Sequence, residues 1–151
     1  NAVVGPDREV AVMIASEDPI VAERPMYFDY LGKWSGGHDV TGAVAPQTSF
    51  FFAEGYTGAG LFDEYLCLMN PGDTPTTAHI TYMFPDGTTQ PQDVPIGATT
   101  RTTVSVNAVV GPDREVAVMI ASEDPIVAER PMYFDYLGKW SGGHDVTGFT
   151  P

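Results

Sequence analysis

Basic residues are scarce. Seven Lys and Arg stand against twenty Asp and Glu, for a formal net charge of −13. A surface of that sign repels phosphate backbones and anionic lipid headgroups, so neither nucleic acid nor an electrostatic membrane contact is an expected partner. Cysteine is scarcer still: Cys67 stands alone, and no disulfide can close within the chain. Its place in the apolar run Tyr65-Leu66-Cys67-Leu68-Met69 reads as a small buried core residue rather than a reactive thiol. No stretch reaches the ~20 apolar residues of a membrane-spanning helix, so no membrane insertion is expected. The chain opens on Asn1, with no initiator Met and no leader. It is therefore expected to be part of a longer protein, and the missing leader says nothing about where that protein goes.

Motifs that carry chemistry are equally sparse. There is no Gly-x-Ser-x-Gly elbow, no His-Glu-x-x-His and no close carboxylate pair, so no nucleophile or zinc chemistry is indicated. The glycine-rich stretch Glu54–Gly60 lacks the Lys-Ser/Thr ending of a phosphate-binding loop, and no helix follows to supply a dipole. The acidic turns Asn70-Pro71-Gly72-Asp73 and Pro85-Asp86-Gly87 do not carry the alternating oxygen ligands of an EF-hand. Calcium bridging between modules is the one cation role they leave open. We expect a protein that is not an enzyme and holds no cofactor.

What the sequence does have is a repeat. Residues Asn1–Gly42 recur without a change as Asn107–Gly148, an offset of 106 residues. A unit of that length is large enough to fold alone, unlike the short units of a solenoid. Val44-Ala45-Pro46-Gln47-Thr48 is an uncharged stretch with the character of a linker, whereas Thr99–Val106 runs into Asn107 with no breaker. The complete module is thus expected at 44–149, with 1–43 the C-terminal part of a preceding copy.

Hydrophobic residues make up 43% of the chain and charged residues 18%, with 16 Gly and 13 Pro spread as punctuation. Short apolar runs between such breakers point to strands. Expected strands are Ser49–Ala53, Phe62–Met69, Thr77–Phe84 with Ala78, Ile80, Tyr82 and Phe84 on one face, a Pro91-bearing edge strand Thr88–Val94, and Thr100–Val106. Next come Arg114–Ala121, stopping at Glu123-Asp124-Pro125, and Ile126–Tyr136, interrupted at Pro131. A small hairpin is expected within Gly138–Gly148, and Asn107–Val110 could make one helical turn. The fold class is all-β, an Ig-like antiparallel sandwich of seven to eight strands per module.

Phe52-Ala53-Glu54-Gly55-Tyr56-Thr57, Asp63–Pro71, Thr81-Tyr82-Met83 before Asp86-Gly87-Thr88, Val127–Phe134 and Trp140–Asp145 form an ordered series. It resembles repeat modules of unassigned function in large secreted and cell-surface proteins of actinobacteria and related bacteria. The resemblance spans the whole module. It implies an extracellular or cell-surface β-sandwich and transfers no catalytic residue.

Polar candidates are few. His144 and Asp145 follow a Gly-Gly pair, and their copies are His38 and Asp39. A metal or acid–base role would need a further ligand from elsewhere, because neighbours in extended chain point to opposite faces. His79 is the other histidine of the module. Glu129 and Arg130, with copies Glu23 and Arg24, sit in an otherwise apolar strand, where an ion must be paired or stacked. Structural contacts are the expectation for Glu129, Arg130, His144 and Asp145, with Tyr133, Tyr136 or Trp140 as stacking partners of Arg130.

The leading expectation is a stalk, spacer or filament element whose partners are other copies of itself. The alternative is a module that binds a glycan or matrix ligand through Tyr56, Tyr133, Tyr136 and Trp140. The apolar face of 1–43 is expected to lack a partner sheet within the chain and to seek one by strand addition or swapping.

Overall fold

Alternation along each run sets the architecture. A computed structural model describes residues 3–32 and 34–151; Asn1, Ala2 and Lys33 of the first copy lie outside the described residues. After a segment without strands to Ala22, the chain forms β1 (Glu23–Tyr30), β2 (Trp34–Thr41), β3 (Gln47–Phe52), β4 (Tyr56–Thr57), β5 (Phe62–Asn70), β6 (Thr76–Met83), β7 (Thr89–Ile96) and β8 (Thr100–Ser105). There follow a single helical turn α1 (Val106–Val110), β9 (Arg114–Glu115), β10 (Ala117–Glu129), β11 (Met132–Tyr136) and β12 (Trp140–His144).

The fold is an all-β antiparallel sandwich. One layer runs β3–β10–β6–β7, with β7 and its Pro91 at the edge. The other is built on β5, with β8 on one side and the end of β10 followed by β11 on the other. Between the layers lie Phe50, Phe52, Leu66, Leu68, Ala78, Ile80, Tyr82, Val104, Val118, Ile120, Ile126 and Ala128, all buried. Each set repeats every second residue, as a half-buried strand requires.

Strand β10 belongs to both layers. The expected stop at Glu123-Asp124-Pro125 is overturned, since β10 runs through it to Glu129. The break is instead a register shift between Ala121 and Ile126. Pro125 falls inside that shift and needs no ladder partner, while the strand leaves one layer and enters the other. At Pro131 the ladder does lapse. Glu129 faces Cys67, Met132 faces Glu64, and the Pro131 carbonyl between them accepts from the Tyr65 amide at 3.0 Å. The register is unchanged across the gap, so the missing proline N–H interrupts the strand without redirecting it.

All of β9, β10, β11 and β12 comes from the second copy. The first copy has the same residues, yet 3–22 contain no strand. Ile120 is fully buried while its twin Ile14 is 60% exposed. The hairpin alone forms twice, β1–β2 and β11–β12, each on a turn with Leu and Gly at positive φ (Leu31 and Gly32, Leu137 and Gly138), the type I′ arrangement that suits strand twist.

The apolar face of 1–43 was expected to lack a partner sheet within the chain. Val10, Val12, Ile14 and Ile20 are indeed left exposed, but the hairpin of this copy has a partner. Among the described residues the strands β1 and β2 ladder only with each other, and this hairpin lies on the outer face of β11–β12, where Phe28 meets Tyr133 edge to face at 5.0 Å. The contact is made by side chains, not by a ladder.

Candidate functional site

The hairpin β11–β12 separates the candidate residues by face. Arg130, Met132, Phe134 and His144 point toward the sandwich, while Glu129, Tyr133 and Asp145 point away from it, as the pleat dictates. Two polar clusters result, one on each side.

The inner cluster centres on Glu64, a residue not singled out from the sequence. Positions 64, 66 and 68 of β5 are all buried, so the period that puts Leu66 and Leu68 inside also puts a carboxylate there. Both Glu64 oxygens lack a hydrogen-bond partner among the described residues. Gly55 is packed against that carboxylate, with no room there for a Cβ. Burial is the main cause that pushes Glu64 up to about 7, against the pull of the Arg130 charge. Arg130 is buried and donates from its guanidinium to the Glu54 carbonyl, where a salt bridge or aromatic stacking was expected. His144 is held below the usual histidine value, first by burial and then by Arg130. Asn107, the first residue of the second copy, locks the neighbouring backbone: it accepts from the Glu64 amide at 2.9 Å and donates to the Phe62 carbonyl at 2.7 Å.

The outer cluster is an ion pair between the two copies. Arg24 donates to Asp145 at 2.5 Å and lies 3.4 Å from Glu129. Burial raises Asp145, and Arg24 opposes the rise. Glu129 is raised by burial and then by the neighbouring Asp145 charge. The second Asp145 oxygen is buried and unpartnered among the described residues, as are both ring nitrogens of His38. His38 lies beside both Phe28 and Tyr133, with ring centres 5.9 and 6.5 Å away, and burial lowers its pKa. Farther along the same sheet face, Arg101 pairs with Glu9 of the first copy and donates to the Cys67 sulfur at 3.3 Å. Cys67 is therefore not a core residue as expected. It is the half-buried outward neighbour of Leu66 and Leu68, and burial raises its thiol.

The aromatic candidates divide as well. Tyr133 belongs to the outer cluster. Tyr56 packs edge-on against Phe62 at 5.1 Å, and Phe62 stacks on Phe134 at 5.6 Å. Tyr136 and Trp140 stack at 6.0 Å near the hairpin turn and are 51% and 58% exposed. His79 stands apart, 2.7 Å from Asp93 on β6–β7. Among the described residues no three His, Cys, Asp or Glu side chains are placed to hold a metal, and no helix is long and apolar enough to cross a membrane.

Known proteins resemble this arrangement in fold. The structure of Thermotoga maritima 1070 matches with a TM-score of 0.63 and 20% identity, over 70% of this chain and 96% of that one. The Anabaena sensory rhodopsin transducer matches with a TM-score of 0.53 and 23% identity, over 59% of this chain and 99% of that one. At such identities the likeness speaks for the fold alone. No curated protein matches. A family model described as a family of unknown function (DUF5719) matches residues 36–134, from inside β2 to inside β11. By that match, which takes in most of the sandwich, the chain belongs to the DUF5719 family.

Proposed function

We propose that this chain is a structural, non-enzymatic repeat module of a bacterial extracellular or cell-surface protein, a stalk, spacer or filament element, whose copies assemble by exchanging β-strands. On this reading 44–149 is the complete module and 1–43 is the end of a preceding one. The observation that carries it is the unequal use of two identical segments. One supplies Val116, Val118, Ile120, Ile126 and Ala128 to the core, and the other leaves the same residues outside it. The spare segment has the sequence needed to complete a second body, and in a neighbouring chain it would meet the same ladder partners on β3, β5 and β6. The strong negative charge suits an exposed element that must stay soluble.

Sedimentation velocity of the full chain tests this reading. From micromolar to millimolar concentration the expected outcome is a ladder of dimers and higher species. A single monomer boundary throughout that range contradicts it.

A second reading, a module that stacks a glycan or matrix ligand, draws on one observation. The Tyr136–Trp140 pair offers a half-exposed aromatic platform beside Lys139, whose ammonium lies 5.9 Å from the Trp140 ring centre. A stalk module needs no such platform, but an adhesive one does.

A further inference from the structure

We propose that the outer face of the β11–β12 hairpin is a receptor for the arginine face of the same hairpin in a second copy of this chain, so that copies stack face to back.

The two faces of this one hairpin are complementary. The face that points toward the sandwich in the second copy carries Arg130, Met132, Phe134 and His144. In the first copy the same positions are Arg24, Met26, Phe28 and His38, and with no body of their own to cover them they have found another surface. That surface is the reverse face of the identical hairpin: Asp145 and Glu129 receive Arg24, and Tyr133 receives Phe28 edge to face. Glycines allow the approach. A Cβ on Gly143 would come within 2.9 Å of the Phe28 ring, and one on Gly36 within 3.3 Å of the Gly142 backbone.

The acid pair has the character of a socket. Asp145 is 7% exposed, and among the described residues one of its oxygens stays unpartnered even with Arg24 in place. Two carboxylates this close and this buried repel each other unless a cation sits between them, and a guanidinium matches them in charge and in planar geometry. In a module not followed or preceded by a spare hairpin, the socket has no internal arginine to fill it, because Arg130 faces inward and bonds Glu54.

Docking leaves an identical receptor exposed. On the docked hairpin Glu23, Tyr27 and Asp39 repeat Glu129, Tyr133 and Asp145; all three are exposed, Tyr27 at 87%. The contact is therefore heterologous. It does not close on itself, and each added hairpin presents the next socket, as an open-ended stack requires.

This inference goes beyond the strand exchange proposed above, since it concerns a side-chain contact between hairpin faces, and the test separates the two. Two full-length variants test it. In Arg24→Ala the socket is intact but the chain's own hairpin cannot fill it. In the Glu23→Gln, Asp39→Asn, Glu129→Gln, Asp145→Asn variant the hairpin keeps its arginine but both receptor faces lose their charge; all four changes are isosteric, Glu23 and Asp39 are exposed, and burial raises Glu129 and Asp145, so folding is kept, and Glu23→Gln with Glu129→Gln serves as a milder second donor. Each variant alone is expected to form only the species that strand exchange supplies. Mixed in equal amounts, they are expected to form larger mixed species, absent from either variant alone, that are lost in high salt. A mixture that sediments as the sum of the two variants overturns the proposal. If the variants assemble alone but gain nothing on mixing, the socket falls and strand exchange stands. If each variant alone is a monomer while the mixture pairs, the socket stands and strand exchange falls.

Discussion

Replacing Ile120 by alanine is expected to cost about 2–5 kcal/mol of unfolding free energy, whereas the same change at Ile14 is expected to fall within ~0.5 kcal/mol of zero. The two sites share every neighbour in sequence, since both lie in Arg-Glu-Val-Ala-Val-Met-Ile-Ala-Ser. Propensity, local charge and unfolded-state behaviour therefore cancel in the comparison. What differs is position. Ile120 lies between Phe50 of β3 and Ile80 of β6 in the ladder and is fully buried, while Ile14 stands 60% exposed on a segment without strands. Truncating the first opens a cavity in a close-packed layer; truncating the second removes atoms already in water. Urea unfolding midpoints at constant m-value measure both. Equal losses, or a larger loss at Ile14, would mean that the first copy closes the body.

Glu64→Gln is expected to stabilise the protein, and to do so only above acidic pH. The folded state holds a proton on Glu64 up to about 7, against 4.5 for the free side chain. Between those values the folded chain binds more protons than the unfolded one, so this group's contribution to stability falls as pH rises through the window and levels off above it. The shift corresponds to roughly 3 kcal/mol. Glutamine resembles the protonated acid in size and charge. The variant should match the parent near pH 4 and exceed it by roughly 3 kcal/mol at pH 8. The histidines act in the opposite sense. Burial depresses both His38 and His144, so their contribution is present above about 6.5 and is lost as pH falls through their lowered values. They are unchanged in the variant and cancel in the difference. Thermal unfolding of both proteins across that pH range decides it, and a difference independent of pH would contradict a buried ionised Glu64.

Part of this structure was legible because it is local. The type I′ turn at Leu137-Gly138 and its hairpin form in both copies, so the residues between Glu129 and His144 carry that information themselves. The Ala78–Ile80–Tyr82 face of β6 was legible because a period of two survives in any half-buried strand. Other features depend on contacts distant in sequence. Arg114–Ala121 reads as a strand, yet its copy Arg8–Ala15 makes none, because a ladder needs β3 and β6 alongside and only one copy can have them. The passage of β10 through Pro125 was hidden for the same reason: a proline looks like a stop unless a sheet change places it in a bulge. Cys67 and Glu64 show how far alternation alone reaches. Read with the right phase, β5 puts Glu64 inside and Cys67 outside, but the preference of each residue type points the other way. Arg24 in the socket of Asp145 and Glu129 required knowing which hairpin was left uncovered.

The most direct test of the central claim, that the second copy closes the body and the first lies outside it, is amide hydrogen exchange read by mass spectrometry. A digest fragment covering Glu9–Glu17 is the same peptide as one covering Glu115–Glu123, so each spectrum superimposes the two copies. The isotope envelope is expected to split into two equal populations, one exchanged at once and one protected to the level of global unfolding. In the dilute chain, before strands exchange, a longer fragment that keeps the unique Val104-Ser105-Val106 flank must belong wholly to the protected population. A single envelope, or an unprotected fragment carrying that flank, would contradict that claim.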